Sequence, residues 1–190
     1  DETNKKQHAW MTTPDGHFLE QIHLPLTGDP VLNERYKSWK KKESLFHQKI
    51  TGKVYKDHFD FVLTSPDYGS VAMEEITRTE LPDPVIFYCG NFSAGYLHLI
   101  CHSVLNADQE SILVRFTRVF DLTYKRFLDL QKAEAQAREA QIEAALERVR
   151  AQSMAMHQSH ELSQVASLLY QQLLGLGISQ FVTCGFNIYY

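Results

Sequence analysis

The sequence predicts an α+β chain: an antiparallel sheet with flanking helices, followed by one long helix. Three observations predict it. All six prolines lie at or before Pro84, and neither Gly nor Pro occurs from Tyr96 through Leu174. Because both residues disrupt helices, the chain divides into a turn-rich first half and a helix-dominated second half. In the first half, short apolar runs alternate with turn residues, whereas the second half carries apolar residues at helical spacing.

The first element is a hairpin. Residues 8–13 precede Pro14-Asp15-Gly16, where Pro presets φ and Gly accepts a positive one. Residues 18–26 then alternate, with Phe18, Ile22, Leu24 and Leu26 on one face and Gln21 and His23 on the other. Asp29 can cap a helix that has Pro30 at its first position and Val31, Leu32, Tyr36 and Trp39 at helical spacing. A strand over 45–51 is closed by Gly52. A helix over 54–63 places Val54, Tyr55, His58, Phe59 and Val62 on one side, and 71–78 reads as a further helical piece. Pro82-Asp83-Pro84 leads into strands 85–92 and 96–103, joined by the short turn Phe92-Ser93-Ala94-Gly95.

The long helix begins at Asn106, an N-cap with Gln109 in capping-box position. Ile112, Phe116, Phe120, Tyr124, Phe127 and Leu128 form a stripe wide enough to cover a sheet. From Gln131 the stripe thins into strong helix formers. Leu128, Ala135, Ile142, Val149 and Met156 recur every seven residues, with Leu146 between them, which is a coiled-coil seam. Gln131, Arg138 and Gln152 interrupt it, and its alanines bury only about one methyl each, so the stretch depends on its ends being held. A lone solvated helix with pairs such as Glu134–Arg138 is the alternative. From Ala107 to Gln152 the helix would run on the order of 70 Å, more than a compact domain buries. A further amphipathic helix around Leu162, Val165, Leu168, Leu169 and Leu173 ends at Gly175-Leu176-Gly177, and a strand is expected over 181–190. The organisation expected is a sheet domain over 1–106, a connecting helix over 107–153, and the opening of a second domain over 154–190.

Composition excludes several classes. Hydrophobic content of 44% and charged content of 22% belong to a folded globular chain rather than a disordered one. A net charge of −4 and a pI near 6.1 point to neither nucleic acid nor an anionic membrane. No apolar run reaches the roughly 18 residues of a membrane span, and the N-terminal residues lack a signal-peptide core, so a cytoplasmic location is expected. Cys89, Cys101 and Cys184 are isolated, an odd number without Cys-x-x-Cys, which favours reduced thiols over a disulfide framework or a zinc site.

The alanine-rich run from Leu130 to Ala151-Gln-Ser-Met-Ala-Met156 resembles the helix that joins tandem GAF-type sensor domains in bacterial signalling proteins, histidine kinases and nucleotide cyclases among them. Ala144-Ala-Leu-Glu-Arg-Val-Arg150, Glu161-Leu162, Gly177-Ile178 and Cys184-Gly-Phe-Asn-Ile188 are similar to the start of such a domain, and residues 92–130 to the exit from one. The resemblance implies a GAF-like antiparallel sheet with helices on its faces and a small-ligand pocket. It also implies that 1–106 lacks opening elements, which residues 161–190 of a second copy could supply by a swap. The reading is a non-catalytic sensory or relay region, homodimeric through the long helix, that passes a signal to an effector outside the chain. No cofactor is specified.

Few groupings suggest chemistry. Ser159-His160-Glu161-Leu162 matches the opening of a histidine-kinase phosphoacceptor box, but Ser163-Gln164-Val165 lacks its basic residue and proline. A kinase dimerisation segment using His160 is therefore the rival reading, and a spacer without ligand the third. His98 and His102 are four apart on an expected strand, about 13 Å, too far to share a metal. Arg35, Lys37, Lys40, Lys41 and Lys42 read as one solvated basic face. Trp10, His23, Trp39, Tyr88 and Phe92 are the candidates for a ligand pocket, with ordinary core as the alternative.

Overall fold

The computed structural model describes residues 6–13, 15–19, 21–26, 28–63, 83–158 and 161–189. The chain divides into two compact units, Asp1–Tyr124 and Lys125–Tyr190, so the division falls within the long helix. The expected helical piece over 71–78 lies outside the described residues.

In the first unit the elements follow the expected order. They are β1 (Lys6–Ala9), β2 (Ile22–Pro25), α1 (Pro30–Lys40), β3 (Leu45–Ile50), α2 (Gly52–Leu63), β4 (Val85–Phe92) and β5 (Gly95–Cys101), then the start of α3 (Ala107–Met154). Among the described residues the strands form two sheets rather than one: a β1–β2 hairpin and an antiparallel β3–β4–β5 sheet. The hairpin register pairs His8 with His23. Phe18 is exposed and Leu19 buried, the reverse of the expected alternation, because β2 begins only at Ile22 and a period of two holds only within a strand.

Local signals account for the helix starts. The Asp29 carboxylate accepts from the backbone N–H of Val31 and Leu32, with Pro30 in the first turn. The Asp83 carboxylate accepts from Thr51 Oγ1 at 2.7 Å and from Gly52 N at 3.1 Å, supplying α2 with a cap from 31 residues away. Asn106 and Gln109 form the reciprocal capping box, each donating a backbone N–H to the other's side chain at 2.9 Å.

The two faces of the β3–β4–β5 sheet are covered by different helices. Ile50, Val85 and Phe87 pack with Val31 of α1, and with Tyr55 and Phe59 of α2. On the other face Ile86 and Tyr88 pack with Leu113 of α3. This corrects the first part of the expected contact stripe, since Ile112 and Phe116 are 49% and 67% exposed while Leu113 and Thr117 are buried; Phe120 and Tyr124 of the stripe do reach the sheet, 5.1 and 6.2 Å from the Phe92 ring. The reason lies at Gly90: a Cβ built there would stand 2.0 Å from Thr117 Oγ1, so the helix crosses a strand position with no side chain. Val54 of α2 is likewise exposed, while His58 and Val62 are buried.

Gly90→Ala should therefore cost about 1–3 kcal/mol, the usual range for overpacking. Thr117→Ala in the same chain should restore part of the loss. Urea unfolding of the single and double variants measures both, and a Gly90→Ala midpoint equal to wild type would rule out Gly90 as the point of closest packing.

In the second unit, the later part of α3 is joined by α4 (Leu162–Gly175). Arg148 donates to Gln172 at 3.0 Å and Gln152 to Gln164 at 3.4 Å, so α4 lies antiparallel to α3 over this stretch. Gly177, at φ 85°, ends α4, with Ile178 N donating to Leu173 O at 3.0 Å. Arg138 Nη2 donates to Leu176 O, so a polar interruption of the heptad serves the carbonyl end of α4. The strand expected over 181–190 does not form among the described residues, where 181–189 pair with no other strand. Without a neighbour the backbone groups of a lone strand gain nothing from extension.

Candidate functional site

A polar cluster sits on the α1/α2 face of the β3–β4–β5 sheet. Residues directly opposite in antiparallel strands share a face. Gln48 opposes Phe87 and Phe46 opposes Cys89 across β3 and β4. His98 opposes Cys89, and Tyr96 opposes Asn91, across β4 and β5. Gln48, Cys89, Asn91, Tyr96 and His98 therefore look toward α1, within a face whose other positions are apolar.

Arg35 enters this cluster from α1. It is only 6% exposed, and its guanidinium carbon lies 3.6 Å from the centre of the Phe87 ring, a stacked cation–π arrangement. Among the described residues its Nε and Nη2 have no hydrogen-bond partner, and neither do the buried Gln48 Oε1 and Asn91 Oδ1. Asn91 Nδ2 is satisfied, donating to Ser38 Oγ at 2.9 Å and to Glu43 O at 2.8 Å. Tyr96 Oη donates to Gln7 Oε1 at 2.8 Å, which ties the hairpin to the sheet beside the cluster.

Beside the cluster, His58 and Asp29 form a pair in which both side chains are 3% exposed, with Nδ1 2.8 Å from Oδ2. An ionised carboxylate only accepts, so the imidazole presents Nδ1–H to it. Burial, reinforced by Arg35, holds His58 below its ordinary range, against the pull of Asp29. Burial and then Arg35 push His98 down to about 4, and burial pushes the Cys89 thiol up to about 11. Near neutral pH the cluster thus contains neutral imidazoles, a protonated thiol and a permanent cation. The permanent cation among these neutral groups equips the cluster to bind a group of opposite charge.

No family model matches the chain, and no curated protein or solved structure matches it either.

The structure disperses the residues predicted from sequence for a pocket. Trp10 is 59% exposed, 6.4 Å from His8 ring to ring, and His23 lies 4.4 Å from the same ring. Trp39 and Phe92 do meet, with Nε1 donating to Phe92 O at 2.8 Å. Tyr88 lies on the opposite face of the sheet, in the core against Leu113, and its hydroxyl accepts from Leu105 N at 3.0 Å. Arg35 is the residue that sequence reasoning misses, because its charge and its place on α1 match those of the exposed lysines that follow it. A signal was present: Arg35 stands four residues after the buried Val31 and three before the buried Ser38, in phase with the inward face of α1.

The seam positions are also divided. Leu128 and Leu146 are exposed, Ile142, Val149 and Met156 are partly buried, Ala135 is exposed, and the neighbouring Ala145 is buried, as is Val165 of α4. His160 lies outside the described residues. Among the described residues no group of three His, Cys, Asp or Glu side chains could hold a metal, and no helix is long and apolar enough to cross a membrane. The cysteines are free, with Cys89 buried.

Proposed function

We propose that this chain is a non-catalytic sensory and relay region of a cytoplasmic bacterial signalling protein, GAF-like in its first unit and homodimeric through α3. The observation that carries the reading is the double role of β4. Phe87 and Cys89 face the polar cluster, while the alternating Ile86, Tyr88 and Gly90 face α3. A displacement of β4 by an occupant of the cluster would press on a helix that approaches Gly90 without slack. The same helix continues to Met154, well past the last residue that touches the sheet. Relay needs only a small difference in preferred helix position between two states.

Dimerisation is supported by what α3 leaves uncovered. Ile112, Phe116 and Val119, spaced four and three residues apart, are 49%, 67% and 62% exposed beside the face that contacts the sheet. Such a stripe is the natural surface for a second copy of the same helix. Because α4 runs along residues 138–152, the dimer proposed here uses this earlier stripe rather than Ile142 and Val149.

Light scattering coupled to size exclusion tests the reading. The full chain at micromolar concentration should elute as a dimer, and Phe116→Asp should halve the mass while leaving the circular dichroism spectrum unchanged. A monomeric wild type with a normal melting transition would end the dimeric relay model.

A further inference from the structure

We propose that Arg35 anchors a binding site for a small oxyanion, a carboxylate or phosphate group, on the α1 face of the sheet. The inference rests on the reading of the first unit as a sensor domain and supplies the chemistry of what it senses. The two unpartnered nitrogens of Arg35 are Nε and Nη2, which together form one edge of the guanidinium. Two parallel N–H bonds leave that edge, at a spacing that matches two oxygens of one carboxylate or phosphate. A residue that is 6% exposed and stacked on Phe87 cannot satisfy that edge with bulk water as a surface arginine does.

Other acceptors nearby, the Tyr96 hydroxyl beside Arg35 among them, are neutral and leave the Nε–Nη2 edge unpaired. Gln48 Oε1 lies on the same sheet face without a partner. A single neutral carbonyl takes one N–H and leaves the charge uncompensated, whereas an oxyanion takes both and neutralises it. The Asp29 carboxylate, the nearby charge of opposite sign, is already engaged by His58 and by the Val31 and Leu32 N–H groups. Among the described residues no carboxylate stands within ion-pair distance of Arg35. The neutral His98 and Tyr96 flank the cluster as polar groups that do not compete for the anion's charge with a carboxylate of their own. Burying a cation with two of its three nitrogens unpartnered is costly, so a chain that keeps one there has a use for it.

The experiment follows the Arg35 Nε–H resonance by NMR, assigned from its absence in Arg35→Lys, while acetate or inorganic phosphate replaces chloride at constant ionic strength. A saturable shift of that resonance with either anion supports the site, and the tighter of the two identifies a carboxylate or a phosphate as the recognised group. In parallel, the melting temperature should rise saturably with that anion in wild type. The apparent affinity should fall about tenfold or more in Arg35→Lys, which keeps the charge but loses the edge, and the response should vanish in Arg35→Met. An unmoved Nε–H resonance with both anions overturns the proposal. So does a melting shift of equal size in Arg35→Met, which would mark a general salt effect. Binding that leaves the oligomeric state and helix contacts unchanged would retain the site while removing the relay.

Discussion

Replacing Asp29 by alanine is expected to cost about 2–4 kcal/mol of unfolding free energy. Two separate losses combine. The first is the cap of α1, where the carboxylate accepts from Val31 N at 3.2 Å and Leu32 N at 3.3 Å, a contribution of about 1 kcal/mol. The second is the acceptor for His58 Nδ1–H, 2.8 Å away and 3% exposed. A buried donor left without a partner costs about 1–3 kcal/mol, because folding still removes it from water. Asn at this position keeps an oxygen for either partner, so Asp29→Asn should lose clearly less than Asp29→Ala. Since the two losses share one side chain, a double-mutant cycle with His58→Phe separates them. Equal and small effects of Asp29→Ala and Asp29→Asn would mean that the buried pair contributes little.

Acidification should weaken the fold between about pH 6.5 and pH 4, before most carboxylates titrate. In the folded chain His98 is held down to about 4, chiefly by burial and secondarily by Arg35. The unfolded chain takes up the same proton near 6.5, so below that pH the unfolded state binds more protons and stability falls. The loss grows until the folded-state value is reached and then levels off. A separation of this size corresponds to at most about 3 kcal/mol, and because His98 is half-buried rather than enclosed the loss falls below that ceiling. His58 is shifted in the same direction and adds to the trend. Around His98 stand Tyr96 on its own strand, Cys89 opposite and Arg35 from α1. Cys89 stays protonated throughout the window and Arg35 stays charged, so neither disturbs the sign. Urea unfolding at pH 7.5, 6.5, 5.5 and 4.5 measures the slope, and His98→Gln should flatten it. Parallel curves for the two proteins would remove His98 from the account.

Both predictions concern a cluster that is only partly readable from the chain. Asp29 was legible as a cap because its role is local: it precedes Pro30 and serves N–H groups two and three residues on. Its second role was not, since His58 lies 29 residues away. The same contrast separates Arg35 from Lys37 and Lys40, which share its helix and its charge but not its burial. Trp39 and Phe92 stand out in the sequence as aromatics, yet what joins them is an indole N–H meeting a backbone carbonyl across 53 residues.

By itself the sequence determined the order of elements from β1 to α3, the capping box at Asn106, the end of α4 at Gly177 and the continuity of the long helix. These depend on φ preferences, donor–acceptor spacing and helix propensity, which act over a few residues. Only the tertiary structure decided that the strands separate into two sheets and that Leu113 and Thr117, rather than Ile112 and Phe116, meet the sheet. It also left residues 181–189 without a paired strand and placed Arg35 inside. Each of these outcomes is set by partners far along the chain, such as the missing side chain at Gly90 that admits Thr117. Apolar spacing shows that a helix has a face to bury; the shape of the surface it meets selects which face that is.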